Sequence, residues 1–381
     1  MRAFRVARIE AFACRAPIAR PVATSFGVMH NRPAVFVRIE DADGAFGFGE
    51  AFANWPAAGA EHRVNLLIDD IADLVLARDW ESPEAMFYEL TRATRIRALQ
   101  CGEPGPFAQV VAALDIAAWD LVARREGLPV ARALSSQAEL AVPAYASGIH
   151  IDAAADVVAA ARKTGFSAFK VKVGFDDAAD PAKLVRLAET LRADDTLFAD
   201  ANQAWDVEAA ERFLDAVSEA DLGWIEEPIP AYAAADDWKR LARRPVPLAA
   251  GENIAGFDAF DAALDHGALT FYQPDVAKWG GLTGCLAVAR KALERGRVYC
   301  PHFLGGGIGL AASASVLAAA GGPGLLEVDV NPNPLRDAFG AIGDRIEHGL
   351  WRIDEIPGLG ITSLPGEIGA CITHRREVRR G

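Results

Sequence analysis

The sequence predicts an α/β chain, a (β/α)8 barrel behind an N-terminal α+β domain, on three observations. Asp200, Glu226, Glu252, Asp275, His302 and Glu327 each close a short apolar run, at successive intervals of 26, 26, 23, 27 and 25 residues. A strand, a loop and a helix take about that length, so the interval is that of a repeated βα unit. Eight such runs follow residue 128, and the chain before it carries no such alternation. Polar groups that close successive parallel strands share one mouth, which in a (β/α)8 barrel is where catalysis occurs.

In chain order, residues 1 to about 55 read as a meander, with Asp43-Gly44 as the hairpin turn between two alternating runs. From Glu61 to about Gly127 apolar residues return every three or four positions, as in QVVAALDIAAWDLVA, which predicts helices. Residues 1–127 thus form one domain of plausible size. After Leu128-Pro129 the predicted strands are 141–148, 168–173, 197–200, 223–228, 247–252, 271–275, 298–302 and 325–329. The stretches between them are amphipathic, as where Leu184, Leu187, Ala188 and Leu191 share one helical face. Eight parallel strands with intervening helices close a barrel over 128–350 more naturally than they form an open sheet. Residues 351–381 leave the repeat and are expected to pack back on the N-terminal domain.

Composition narrows the function. The hydrophobic fraction of 51% suits a globule, and a net charge of −13 disfavours nucleic-acid binding, which needs a concentrated basic surface. Five scattered cysteines, with no C-x-x-C pair, read as reduced thiols of a cytoplasmic protein. The N-terminus lacks the apolar core of a signal peptide. The uncharged stretch from Phe303 to Leu326 holds seven glycines and Pro323, so a buried loop and helix explain it better than a membrane span.

Asp200, Glu226 and Glu252 end consecutive strands and form an oxygen-only ligand set suited to Mg²⁺ before Mn²⁺. Without a cation their charges would repel strongly. Lys170 and Lys172 alternate on the second strand and share its inward face, where a neighbouring cation would lower their pKa values towards those of a general base. An ion pair with Asp200 is the alternative. Asp275 and His302 end the sixth and seventh strands and form a dyad in which the carboxylate fixes the imidazole tautomer. One metal with bases on two sides suits removal of a proton next to a carboxylate, through an enediolate stabilised as it forms. Glu327, Asn202 and Lys278 are supporting candidates. A protonated Glu327 could hydrogen-bond a substrate carboxylate, or it could pair with Lys278.

These motifs resemble the enolase superfamily, in its mandelate racemase subgroup. FKVKVG matches its Lys-x-Lys motif, and ADANQAW, WIEEP and AGEN its three metal-ligand motifs. QPDVAKWGG with CPH matches the Asp–His dyad, and ALDIAAWDLVARREGLPV its signature helix. The resemblance spans nearly the whole chain and implies a modified TIM barrel under an N-terminal capping domain. It also implies a homo-oligomer, and capping loops at 23–27 and 51–56 that would bring Ser25 and Trp55 to the substrate. Asp275 stands where muconate cycloisomerases and dipeptide epimerases carry a lysine, which excludes their lysine pair. Leu134-Ser135-Ser136 replaces the usual Leu-Gly-Gly.

Within the subgroup the expected activity is a hydro-lyase acting on a sugar acid or related hydroxy acid. A racemase, epimerase or lactone cycloisomerase is the alternative. Two other classes compete. A nucleotide-binding protein would use Gly307-x-Gly309-x-x-Ala312, but this falls after the seventh strand rather than in a first βα unit. A non-catalytic binding barrel would need the metal site but not Lys172, Asp275 and His302.

Overall fold

In the computed structural model, which describes residues 3–24 and 27–381, two sheets organise the chain. The first is antiparallel. It comprises β1 (Val6–Thr24), β2 (Gly27–Asp41) and β3 (Phe46–Ala51), with β2 and β3 joined by the expected turn at Asp43-Gly44. The turn holds because Asp41 Oδ1 accepts the N–H groups of Asp43 and Ala45, and Gly44 supplies a φ of +86°. Helix Pro104–Glu126 packs against this sheet, and helix Pro83–Gln100 packs against that helix. Helix Pro104–Glu126 is apolar enough to cross a membrane, but 89% of its most apolar window is buried inside the protein.

Strand β3 lies almost directly on that helix. A Cβ at Gly47 would fall 2.0 Å from Ala117 O, and one at Gly49 would fall 1.9 Å from Ala113 O. No rotamer change relieves a clash with backbone, so Gly49→Ala is expected to cost about 3 kcal/mol. A urea unfolding curve with an unchanged midpoint would contradict this packing.

The second sheet is the barrel. Its strands are β4 (Ala141–His150), β5 (Ala168–Lys172), β6 (Thr196–Asp200), β7 (Leu222–Glu226), β8 (Leu248–Ala250), β9 (Phe271–Tyr272), β10 (Val298–Tyr299) and β11 (Leu326–Asp329). Neighbours from β4 to β10 pair in parallel, and β11 pairs with β4. At the seam between β10 and β11, Leu325 N–H donates to Cys300 Sγ at 3.3 Å. Strands β8, β9 and β10 are shorter than the sequence predicts, so Glu252, Asp275 and His302 stand in loops just past the strand ends. Pro274 and Pro301 closely follow β9 and β10 and have no N–H to donate to a ladder, which stops the pairing of those two strands early.

Alternation along the strands sorts the interior into layers. The lower layer is Tyr145, Ala168, Phe198, Trp224, Ala249 and Cys300, with Phe198 stacked on Trp224 at 3.6 Å. Two residues further along the same strands come Ser147, Lys170, Asp200 and Glu226. The polar site therefore rests on an aromatic plug. The tail returns in two steps. Strand β12 (Ile346–Glu347) pairs with β13 (Leu350–Arg352), which pairs with β4, and β14 (Ile372–Arg379) adds to the edge of the first sheet beside β1.

Candidate active site

Register sets the site. Lys172 lies opposite Asp200, and Asp200 opposite Glu226, so lysine and carboxylates stand shoulder to shoulder on β5, β6 and β7. Lys172 Nζ donates to Asp200 Oδ2 at 2.8 Å and to Asn202 Oδ1 at 2.6 Å. Lys170 Nζ donates to both oxygens of Glu226, at 2.7 and 2.8 Å, and lies 2.8 Å from Glu327 Oε1. Lys278 Nζ donates to Glu252 Oε2 at 2.6 Å and sits over the ring of Phe52 from the 51–56 loop, 4.8 Å from its centroid.

Asp275 and His302 lie within hydrogen-bond reach of each other. His302 Nδ1 lies 2.7 Å from Asp275 Oδ2, while Asp275 Oδ1 accepts the N–H groups of Ala277 and Lys278. An ionised carboxylate only accepts, so Nδ1 carries the proton towards it. The other nitrogen, Nε2, faces Glu252 Oε2 at 3.3 Å and Glu327 Oε2 at 3.9 Å. Burial alone would lower the His302 pKa, but Glu252, Glu327 and Asp275 outweigh it and bring it to about 9.

Neighbouring charges set the protonation in two places. The first is the lysine pair, both raised above the usual value. Burial works against their charge, but Glu226 and Glu327 outweigh it at Lys170, and Asp200 does so at Lys172. The expected fall requires a cation, and here carboxylates face the ammonium groups. Glu327 is the second case. Burial would raise its pKa, but Lys170 and His302 hold it down to about 2, so it is ionised rather than a protonated donor. Nor does it pair with Lys278, which bonds to Glu252. Glu327 instead accepts from Ser147 Oγ at 2.5 Å and Phe303 N–H at 3.0 Å.

Glu226 is held differently. Burial, helped by the nearby charges of Asp200 and Glu327, pushes its pKa up to about 7 despite Lys170. Among the described residues no three acidic or imidazole side chains already converge on one point, because each carboxylate is turned towards a lysine. The donor chemistry nevertheless fits a hard divalent cation, with three carboxylates from successive strand ends and no sulfur or imidazole among them. The backbone turns sharply just beyond two of them. Asn202, Gln203 and Glu227 have φ of 46°, 62° and 38°, a region that side chains rarely adopt and that tends to cluster at functional sites.

Sequence reasoning missed several neighbours. Gln273 Nε2 donates to Glu226 Oε2 at 2.6 Å, and Trp224 Nε1 to the same oxygen at 3.3 Å. Both point inward by strand alternation, which is the signal that could have found them. Trp55 lies against Gly27 and its carbonyl accepts from Arg63, while its neighbour Asn54 donates to Leu304 O at 3.1 Å, two residues past His302. Ser25 lies outside the described residues.

Comparison with known proteins agrees with this architecture. Residues 8–134 match the N-terminal domain of mandelate racemase / muconate lactonizing enzyme, and residues 152–365 match the enolase C-terminal domain-like family. The chain belongs to the mandelate racemase / muconate lactonizing enzyme family. Family relatives include the L-talarate/galactarate dehydratase of Salmonella typhimurium, 30% identical over 71% of this chain and 67% of that protein. The D-galactarolactone cycloisomerase of Agrobacterium fabrum is 28% identical over 87% of this chain and 89% of its own length. A solved family structure, mandelate racemase/muconate lactonizing enzyme from Bordetella bronchiseptica RB50, superposes with a TM-score of 0.91 at 45% identity, covering 97% of this chain and all of that one. The L-talarate dehydratase of Polaromonas sp. JS666, complexed with Mg and L-glucarate, superposes at 0.82 with 26% identity over 98% and 99% of the two chains. These family members are enzymes that dehydrate or isomerise, and the fold is the barrel under an N-terminal cap.

Proposed function

We propose that the protein is a Mg²⁺-dependent hydro-lyase that removes the α-proton of a sugar acid or related hydroxy acid and expels the β-hydroxyl as water. The observation that carries this reading is the placement of two ionisable groups across the mouth. Lys172 ends β5 and His302 follows β10, with the three strands that lead to Asp200, Glu226 and Glu252 between them. Those three carboxylates would hold Mg²⁺, which when bound would offset the charge that builds on the substrate carboxylate.

The chain's own residues do the rest. Lys172, oriented by Asn202, is the base that takes the α-proton; its pKa would be lowered by Mg²⁺ held at Asp200, which opposes the ammonium charge, so that the free amine is available. His302 carries a proton at neutral pH and delivers it to the departing hydroxyl, with Asp275 fixing the ring. Lys170 neutralises Glu226 and Glu327 beneath the site, and Lys278 presents a cation beside Glu252. A dehydratase among the relatives supports dehydration, and a cycloisomerase there supports isomerisation on the same scaffold.

The test is incubation with Mg²⁺ and a library of sugar acids and α-hydroxy acids in D₂O, read by NMR and mass spectrometry. Formation of a 2-keto-3-deoxy acid is the expected result. Deuterium at the α-carbon without loss of water would replace dehydration with racemisation or epimerisation.

A further inference from the structure

The helices that follow the two halves of the dyad begin without caps of their own. Helix Gly281–Glu294 starts from Gly280 and helix Gly307–Ala320 from Gly306, and a glycine has no side chain to accept the free N–H groups of a first turn. Helix Val207–Ala216 of the barrel, by contrast, is capped locally, with Asp206 accepting Ala209 N–H at 2.8 Å. The missing acceptors come from the N-terminal region. Glu50 on β3 accepts Gly306 N–H at 2.5 Å and Gly309 N–H at 2.7 Å, one on each oxygen. Asp115, in helix Pro104–Glu126, accepts Thr283 N–H at 3.0 Å and Thr283 Oγ1 at 2.6 Å.

Both carboxylates are buried, and glycine makes the approach possible. A Cβ on Gly281 would lie 2.4 Å from Asp115 Oδ2, and one on Gly305 would lie 2.7 Å from Glu50 Oε1. Each acid reaches one member of the dyad through a few residues of rigid chain. Trp279 N–H bonds Asp275 O at 3.0 Å just before Gly280. On the other side, Phe303 follows His302, and its ring lies against Gly305 and Gly309 beside Glu50. Neither acid has a part in the chemistry above.

We propose that Glu50 and Asp115 are positioning residues for the His302–Asp275 pair, each anchoring from the N-terminal domain the helix start that fixes one member relative to the other. Burying two carboxylates is costly. Burial raises both to about 7 even though the N–H groups they accept oppose it. A carboxylate on a helix N-terminus is the arrangement that best offsets that cost.

The idea rests on the dyad's proposed role, but its test reads the dyad directly and needs no substrate. Asp120 is the matched control. It is the other buried acid of the helix that carries Asp115, and it accepts Phe48 and Leu359 N–H groups at 2.7 Å without capping a barrel helix. Protein labelled with ¹⁵N-histidine and saturated with Mg²⁺ would be compared as wild type, Glu50→Gln, Asp115→Asn and Asp120→Asn. The probe is the low-field Nδ1–H resonance of His302, assigned by its loss in His302→Asn. Glu50→Gln and Asp115→Asn are expected to move it upfield and broaden it, while Asp120→Asn lowers the urea midpoint and leaves it in place. Once a substrate is known, turnover in the first two should fall roughly ten- to a hundred-fold, as for displacement of a reacting group. An unchanged resonance in both variants, or an equal change in Asp120→Asn, overturns the proposal. If only one variant folds, it decides alone. If neither folds, the acids serve stability and the proposal fails.

Discussion

Lys172→Ala and His302→Asn are each expected to lower turnover by at least roughly 10³-fold, the range that general acid–base groups supply, and to do so in distinguishable ways. Lys172→Ala removes the base, so neither α-deuterium exchange in D₂O nor water loss should remain. His302→Asn removes only the acid, so the α-proton should still exchange while elimination stops. A racemase would instead show one-face exchange in both variants. Neither change should unfold the chain. Without Lys172, Asp200 still accepts Asn202 N–H at 2.8 Å and keeps Lys170 at 3.8 Å. Without the imidazole, Asp275 keeps the Ala277 and Lys278 N–H groups. Circular dichroism should confirm intact folds, and wild-type turnover in both variants would remove these residues from the mechanism.

The barrel and the mouth residues were legible because period-two alternation and a polar residue closing each apolar run are local signals. Lys170, Lys172, Asp200 and Glu226 announce themselves in this way. Their partners do not, since which carboxylate faces which lysine depends on strand register and rotamer. Thus Lys278 meets Glu252 rather than Glu327, and Glu327 is ionised because Lys170 reaches it. The early ends of two strands were visible as Pro274 and Pro301, but their effect on where Asp275 and His302 sit was not. Glu50 and Asp115 were the least legible. Glu50 binds backbone N–H groups 256 and 259 positions away, and a backbone donor leaves no mark in residue type.

Glu226→Gln should have the other large effect, weakening Mg²⁺ binding by at least about a hundred-fold. Loss of a mere outer-shell partner costs ten- to a hundred-fold, and Glu226 is assigned as a ligand. The surroundings sharpen the expectation. Glu226 collects two bonds from Lys170 and one each from Gln273 and Trp224, so its carboxylate is held in place by donors that an amide cannot satisfy in the same way. The amide NH₂ would face the Lys170 ammonium or the Gln273 donor, and either contact is repulsive. Lys170 keeps Glu327 as a partner, so the barrel should fold while the site loses both charge and shape. Calorimetric titration with Mg²⁺ decides the matter. An affinity equal to the wild type would mean that Glu226 serves only to neutralise Lys170, and the ligand set would have to be sought among Asp200, Glu252 and their neighbours.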